Sequence, residues 1–361
     1  MPPRRVAYFV SPHGFGHAAR ACAVMAALRR QSPTTEFEVF TRAPRWFFDS
    51  SLTFPFGFHV LNTDVGLVQS SPLVEDLSAT LAALAAYIPF PEQQLSSLAH
   101  TLSSLACSLA VCDISPLGIA AAQAAGIPSV LVENFTWDWI YAGYLAENPQ
   151  FAAVIPEFKR IFDSAGAHIQ TEPVCAYAKN AALLTNPVGR HPRLARPQVL
   201  KNLGLPPDSR MVLISMGGFE VEFAFLDRLF SQTGTFFVVP GGSAHLEMRG
   251  NLVLLPHHSD FYHPDLIHAA DAVISKAGYS TISEAYHAGI PFGYVSRANF
   301  RESPVLSAYI AQHLHGLPIN GVDFQSGQWI DTIPHLLDLP RITRTSPNGA
   351  DQIATFLFDH F

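Results

Sequence analysis

Short runs of β-branched and aromatic residues alternate along this chain with longer stretches whose apolar positions recur at helical spacing. V-A-Y-F-V at 6–10 precedes a helical pattern over 17–30. F-E-V-F at 37–40 then leads to a leucine-striped segment in which Leu95, Leu98, Leu102, Leu105 and Leu109 predict one buried helical face. L-A-V-C at 109–112, a helix near Gly118 to Ala125, the turn Gly126-Ile127-Pro128 and S-V-L-V at 129–132 continue the series. Strands that alternate with helical crossovers imply a parallel sheet.

Pro187, Gly189, Pro192 and Pro197 then break any regular element. A second series follows: M-V-L-I-S at 211–215, T-F-F-V-V at 235–239, N-L-V-L-L at 251–255, A-V-I-S at 272–275 and F-G-Y-V at 292–295. The expectation is an α/β protein with two Rossmann-like doubly wound domains in tandem, at 1–186 and 187–347, closed by an amphipathic helical segment at 348–361.

Composition narrows the function classes. The chain has 361 residues, enough for two cores, and is 48% apolar with 27 Phe and only 14% charged, which excludes disorder. A net charge of −7 with scattered Lys and Arg offers no basic stripe for nucleic acid. Cys22, Cys107, Cys112 and Cys175 form no CxxC pair and read as buried thiols of a reducing cytoplasm. The apolar run after Arg4-Arg5 stops within five residues, so it reads as a strand rather than a secretory leader, and 93–112 is too rich in Ser to span a membrane. Trp46, Phe47, Phe48, Phe54, Phe56 and Phe58 are expected to be buried; the alternatives are an acceptor groove or peripheral membrane contact.

In open parallel sheets ligands bind beyond the carboxyl ends of the strands, so the loops there carry the candidate chemistry. In S-P-H-G-F-G-H-A-A-R (11–20), Gly14 and Gly16 allow a tight turn with close backbone approach, while His17 and Arg20 share a helix face. Histidine is a candidate general base. The plainer alternative is a strand–helix turn capped by His17. The loop is neither a GxGxxG fingerprint nor a GK[ST] phosphate loop. Asp113, at the end of L-A-V-C, orients His17 if its strand neighbours the first one; otherwise it caps a helix.

E-N-F-T-W-D-W-I-Y (133–141) gathers Glu133, Asn134, Trp137 and Asp138 as candidate acceptor-side residues, with Trp139 and Tyr141 read as packing. In A-V-I-S-K-A-G-Y-S-T-I-S-E-A (272–285) a strand ends at Ser275, Gly278 turns the chain, and a helix begins near Ser280 and Thr281. Its free amides would face an anion such as a diphosphate, with Glu284 placed for ribose hydroxyls. A capping box, Thr281 with Glu284, is the plainer alternative. Gly217-Gly218 after M-V-L-I-S supplies a second glycine-bearing strand end, which favours phosphate binding.

H-G-F-G-H-A-A-R, N-F-T-W-D-W-I-Y and K-A-G-Y-S-T-I-S-E-A together resemble GT-B glycosyltransferases. The likeness is to the peptidoglycan N-acetylglucosaminyltransferases and to the glycosyltransferase-like domain of arabinokinases, over nearly the whole chain. The resemblance implies a GT-B fold, two Rossmann-like domains facing each other across a cleft, with the acceptor on the N-terminal side and a nucleotide sugar on the C-terminal side. Lys276, Gly278, Ser280 and Thr281 would meet the diphosphate, Glu284 the ribose, Gly217 and Gly218 the donor phosphates, and Arg297 and Glu302 the sugar. His17 matches the family's base and Asp113 its partner; the family's final helix returns to brace the N-terminal domain. The implied reaction is inverting, needs no metal or cofactor, and moves a sugar from a most simply UDP-linked donor to an acceptor hydroxyl. This sequence departs from the pattern at Ala277 and in having Glu302 without the usual glutamine. No kinase-type segment follows residue 361, so the chain is not expected to be an arabinokinase. A nucleotide-sugar epimerase of the same fold and a non-catalytic nucleotide-sugar-binding module are the alternatives; acceptor and oligomeric state are left open.

Overall fold

A computed structural model describes residues 4–71, 74–217, 224–297 and 299–361. Two compact units emerge: Met1–Val188 with Pro347–Phe361, and Gly189–Ser346. In the first, the strands are β1 (Arg5–Val10), β2 (Glu36–Thr41), β3 (Gly57–Val60), a small hairpin of β4 (Gln69–Ser71) and β5 (Val74–Glu75), β6 (Leu109–Asp113), β7 (Ser129–Glu133), β8 (Ala167–Thr171) and β9 (Leu183–Thr185). The helices are α1 (Phe15–Gln31), α2 (Arg45–Ser51), α3 (Leu77–Tyr87), α4 (Glu92–Ser104), α5 (Pro116–Ala125), α6 (Trp137–Ala142) and α7 (Ile155–Asp163). Outside the hairpin, the strands form one parallel sheet in the order β3-β2-β1-β6-β7-β8-β9.

The second unit repeats the plan with β10 (Arg210–Ser215), β11 (Thr235–Pro240), β12 (Glu247–Arg249), β13 (Leu252–Leu255), β14 (Ala272–Lys276), β15 (Phe292–Val295) and β16 (Gly316–Ile319). Its helices are α8 (Arg196–Asn202), α9 (His263–Ala269), α10 (Tyr279–Ala288), α11 (Ser303–His313), α12 (Gly321–Ser326) and α13 (Ile333–Asp338). The sheet runs β12-β13-β11-β10-β14-β15-β16, parallel except that β12 pairs antiparallel with β13. Apolar layers cover both faces of this sheet, one centred on Leu213, Val238 and Val273, the other on Val212, Ile214 and Ile274. Strands buried on both faces explain the nearly unbroken apolar runs in the sequence.

Each sheet reverses its strand order beside its first strand, between β1 and β6 in one unit and between β10 and β14 in the other. The strand ends, turns and helix starts at these two switch points carry His17, Asp113, Gly217 and Gly278.

α14 (Gly349–His360) belongs to the first unit although it ends the sequence. Ala350, Ile353, Ala354 and Leu357 form its buried stripe, and it packs on α1. Arg30 pairs with Asp351 at 2.6 Å, and Gln352 accepts from the Asn186 amide at 2.8 Å. Gly349 is required here, because a Cβ would lie 2.0 Å from the Asn186 carbonyl oxygen.

Three expectations are corrected. The leucine stripe ends at Leu105: α4 stops at Ser104, Ala106 takes a left-handed conformation (φ 52°), and Leu109 opens β6. Along α4 only Leu102 is buried, since this helix lies on the outside and packs on α5. Gly16 is not part of the turn but lies inside α1; Gly14 alone, with φ 81°, uses glycine's freedom. In the aromatic group, Phe47 and Phe48 are buried, whereas Trp46, Phe54, Phe56 and Phe58 are only half-buried. Arg45 lies over the rings of Phe56 and Phe58.

Candidate functional site

The site in the first unit follows from strand adjacency. β1 and β6 pair in parallel with Val10 beside Asp113, which brings the α1 start over the Asp113 carboxylate. His17, two residues after the first residue of α1, does not cap the helix; Gly14 holds the cap position. Its Nδ1 lies 2.8 Å from Asp113 Oδ1. Arg20, one turn on, donates from Nε to Oδ2 and from a terminal nitrogen to Oδ1, both at 2.7 Å, and from its other terminal nitrogen to Asn134 Oδ1 at 2.7 Å. Asp113 does not cap α5, because Ser115 does so by accepting from the Gly118 amide.

Burial alone would raise the Asp113 pKa, but the charge and hydrogen bonds of Arg20 and His17 outweigh it and hold the carboxyl below its usual range. An ionised carboxylate only accepts, so the proton facing it sits on His17 Nδ1. Nε2 of the neutral ring is then a free base, and it makes no hydrogen bond among the described residues.

Asp64, in the loop after β3, escaped the sequence reading. It is 1% exposed, and its Oδ2 accepts from the Trp137 indole at 3.0 Å. Burial raises its pKa to about 6, moderated by Ser11, Trp137 and His17 and reinforced by Asp113. Its loop is tied across the strand ends: Thr63 donates to the Val10 carbonyl at 2.7 Å, and Ser115 to the Thr63 carbonyl at 3.0 Å. The available signal was a second carboxylate following a strand.

The other candidates of this unit divide. Asn134 joins the cluster through Arg20. Trp137 is fully buried, stacked on Tyr141 and edge-on to His13 and Phe135. Glu133 lies elsewhere: β7 aligns Val132 with Asp113, so the pleat turns Glu133 to the opposite sheet face. There its Oε1 accepts from His168 and Gln170, both at 2.7 Å. Asp138 faces α7, within the fields of Lys159 and Asp163, and burial raises its pKa.

In the second unit α10 begins at Tyr279 with Gly278 at the cap position and no side-chain cap. The Thr281–Glu284 capping box is therefore not formed. The amides of Tyr279, Ser280 and Thr281 lie in the first turn, where no helical carbonyl reaches them. Gly217 follows β10 in a left-handed conformation (φ 75°), and Gly218 lies outside the described residues. At the ends of β14 and β15, Lys276, Arg297 and Glu302 share one electrostatic environment. Burial first, then Arg297, pulls the Lys276 pKa down to about 8 against the opposing pull of Glu302. Arg297 also lies 3.6 Å over the Phe300 ring.

Glu284 is buried and held by three residues that the sequence reading missed. Arg190, just past the unit boundary, donates from Nε to Oε1 at 2.8 Å; His263, opening α9, places Nδ1 3.2 Å from Oε2; and Ser215 Oγ lies 3.1 Å from His263 Nε2. Burial would raise the Glu284 pKa, but Arg190 and His263 more than offset it, so the carboxyl stays below its usual range.

Comparison with known proteins agrees with this architecture. The chain is 30% identical over 355 residues to L-arabinokinase of Arabidopsis thaliana, covering 97% of this chain and 34% of that protein. It thus spans about a third of that relative's length. The Medicago truncatula protein UGT71G1, solved in complex with UDP-glucose, shares the fold with a TM-score of 0.63 at 14% identity, over 99% of this chain and 98% of that one. MurG of Acinetobacter baumannii gives 0.58 at 14% identity, over 99% and 100%. These likenesses show a GT-B fold. The model of glycosyl transferase family 1 matches residues 4–329, and the chain belongs to that family.

Proposed function

We propose that the protein transfers a sugar from a nucleoside-diphosphate sugar, most simply a UDP-sugar, to an acceptor hydroxyl with inversion at the anomeric carbon. The observation that carries this reading is the His17–Asp113 pair: an imidazole whose Nδ1 proton is held by an ionised carboxylate and whose Nε2 is unengaged among the described residues. Asp113 stabilises the imidazolium that forms when Nε2 takes a proton. In the step, the acceptor O–H gives its proton to Nε2, its oxygen bonds to the anomeric carbon, and the bond from that carbon to the diphosphate oxygen breaks. The leaving nucleoside diphosphate carries the electron pair, and the first-turn amides of α10 offset its charge without calling on a metal.

Residues 187–347 serve the donor, and 1–186 with 348–361 the acceptor. Lys276, Gly278, Ser280 and Thr281 meet the diphosphate, Gly217 and Gly218 its other side, Glu284 the ribose, and Arg297 and Glu302 the sugar. The UDP-glucose held by the Medicago relative supports this donor class. His17, Asp113, Arg20 and Asn134 form the basic centre, with Asp64 and Trp137 behind them. Buried, unbridged Cys22, Cys107 and Cys112 support a reducing, cytoplasmic setting. Among the described residues no helix is long and apolar enough to cross a membrane.

Incubation with UDP-, GDP- and dTDP-sugars and candidate hydroxyl acceptors tests the proposal by product analysis. Transfer or slow donor hydrolysis supports it. Isomerisation of the sugar indicates an epimerase, and binding without turnover a sensing module; either result overturns it.

A further inference from the structure

Ser215, His263, Glu284 and Arg190 form one hydrogen-bonded line through the second unit, from the end of β10 through the first residue of α9 to the second turn of α10 and back to the segment before α8. The roles of the atoms follow from charge. Glu284 is ionised and only accepts, so His263 Nδ1 carries the proton toward it. In the neutral ring Nε2 is then an acceptor, and the Ser215 hydroxyl donates to it. Arg190 closes the other end.

Serine hydrolases use the same order of groups, but two features point away from that chemistry here. Arg190 offsets the negative charge that a triad carboxylate lends to its imidazolium, and Ser215 is buried at the strand end. What the line does instead is immobilise a carboxylate. A free Glu side chain has three rotatable bonds; here, among the described residues, one nitrogen holds each oxygen, which leaves each a further lone-pair direction. A carboxylate fixed before the ligand arrives spends no ordering entropy on binding.

We propose that His263, itself anchored by Ser215, is a positioning residue that sets Glu284 to read a diol, and that this clamp selects a ribonucleotide donor over its 2′-deoxy counterpart. The inference rests on the donor reading of this unit, in which Glu284 meets the ribose. A site built to bond a hydroxyl rejects the analogue that lacks it, because the acceptor is left dry and unpaired.

Calorimetric titration of the full chain with UDP and with 2′-deoxy-UDP tests this. Wild type is expected to bind UDP roughly tenfold more tightly, the effect of one hydrogen bond to a charged group. His263→Ala should weaken UDP by about the same factor and leave 2′-deoxy-UDP within about twofold, erasing the preference. His263→Asn, whose amide nitrogen replaces Nδ1, should restore much of it, and Ser215→Ala should act in the same direction more weakly. Equal affinity of wild type for the two nucleotides overturns the proposal, as does an equal loss for both in His263→Ala, which would mark a merely structural residue. If wild type binds neither nucleotide, the donor reading itself falls; if it binds both but without preference, only the clamp does.

Discussion

Each unit buries one carboxylate between an arginine and the Nδ1 of a histidine: Asp113 with Arg20 and His17 in the first, Glu284 with Arg190 and His263 in the second. The two clusters differ at the far nitrogen. His17 Nε2 is unengaged among the described residues, whereas His263 Nε2 is bonded to Ser215. They also differ in assembly. His17 and Arg20 lie one turn apart on a single helix and grip both oxygens of Asp113, while Arg190, His263 and Glu284 come from three separate segments with one contact per oxygen. On the readings proposed above, the same three residue types serve as a poised base in one place and a fixed acceptor in the other. What separates the roles is the partner of one ring nitrogen.

The strongest way to break this contrast is to remove the proposed base. His17→Ala should lower the transfer rate by roughly 10²- to 10⁴-fold, the usual worth of a general base, with UDP affinity unchanged by calorimetry. Normal transfer by that variant would remove His17 from the mechanism. The arginines sharpen the contrast next. Arg20→Met leaves Asp113 buried beside histidine alone and should cost about 3–5 kcal/mol in urea denaturation at pH 7. Arg190→Met should cost clearly less, because Arg190 donates to Glu284 from Nε alone among the described contacts of that carboxylate, and His263 still holds its other oxygen. The reverse order would show that the looser cluster is the structural one.

Asp64 gives a smaller, pH-dependent effect. Its folded pKa of about 6 exceeds the unfolded value of 3.8, so between those values the folded state binds more protons. Stability from this group is therefore complete below about pH 4 and lost as pH rises through 6, a difference of at most about 3 kcal/mol. Asp64→Asn, which can still accept from Trp137, should raise the unfolding midpoint at pH 8 and leave it unchanged at pH 4; a pH-independent shift would contradict the raised pKa. Least of all, Ser115→Ala, which removes both an N-cap and the bond to the Thr63 carbonyl, should cost about 2 kcal/mol of stability with little change in transfer. If Asp113→Asn behaves in the same way, Asp113 is no more than a structural polar group.

Much of this was legible beforehand, for a physical reason. Central parallel strands must be apolar on both faces, so the runs at 6–10, 109–112, 211–215 and 272–275 announced themselves, and alternation with helices placed their carboxyl ends together. That set Asp113 beside His17 only on the condition that their strands are neighbours, which the pairing of β1 with β6 meets. Edge strands such as β3, β9 and β16 are half-exposed and carry no such run, and polar β8 reads as a loop. Glu133 was grouped with Asn134 and Trp137 on the acceptor side because the pleat, which turns Glu133 to the face opposite Asp113, depends on register that spacing does not reveal. His263 and Arg190 meet Glu284, and Ser215 meets His263, only through tertiary folding, across 21, 94 and 48 positions, and no local pattern marks them. Asp64 is hidden in the same way: its raised pKa comes from burial, which a loop sequence does not display.

The placement of α14 has a consequence for how the molecule is made. The groove on α1 that receives Ile353, Ala354 and Leu357 is synthesised more than three hundred residues before its occupant. During translation the earlier unit therefore waits with an apolar furrow uncovered while the whole later unit emerges from the ribosome. Nascent chains halted near residue 346 should accordingly recruit chaperones through that furrow, and a peptide spanning 347–361 supplied in trans should release them.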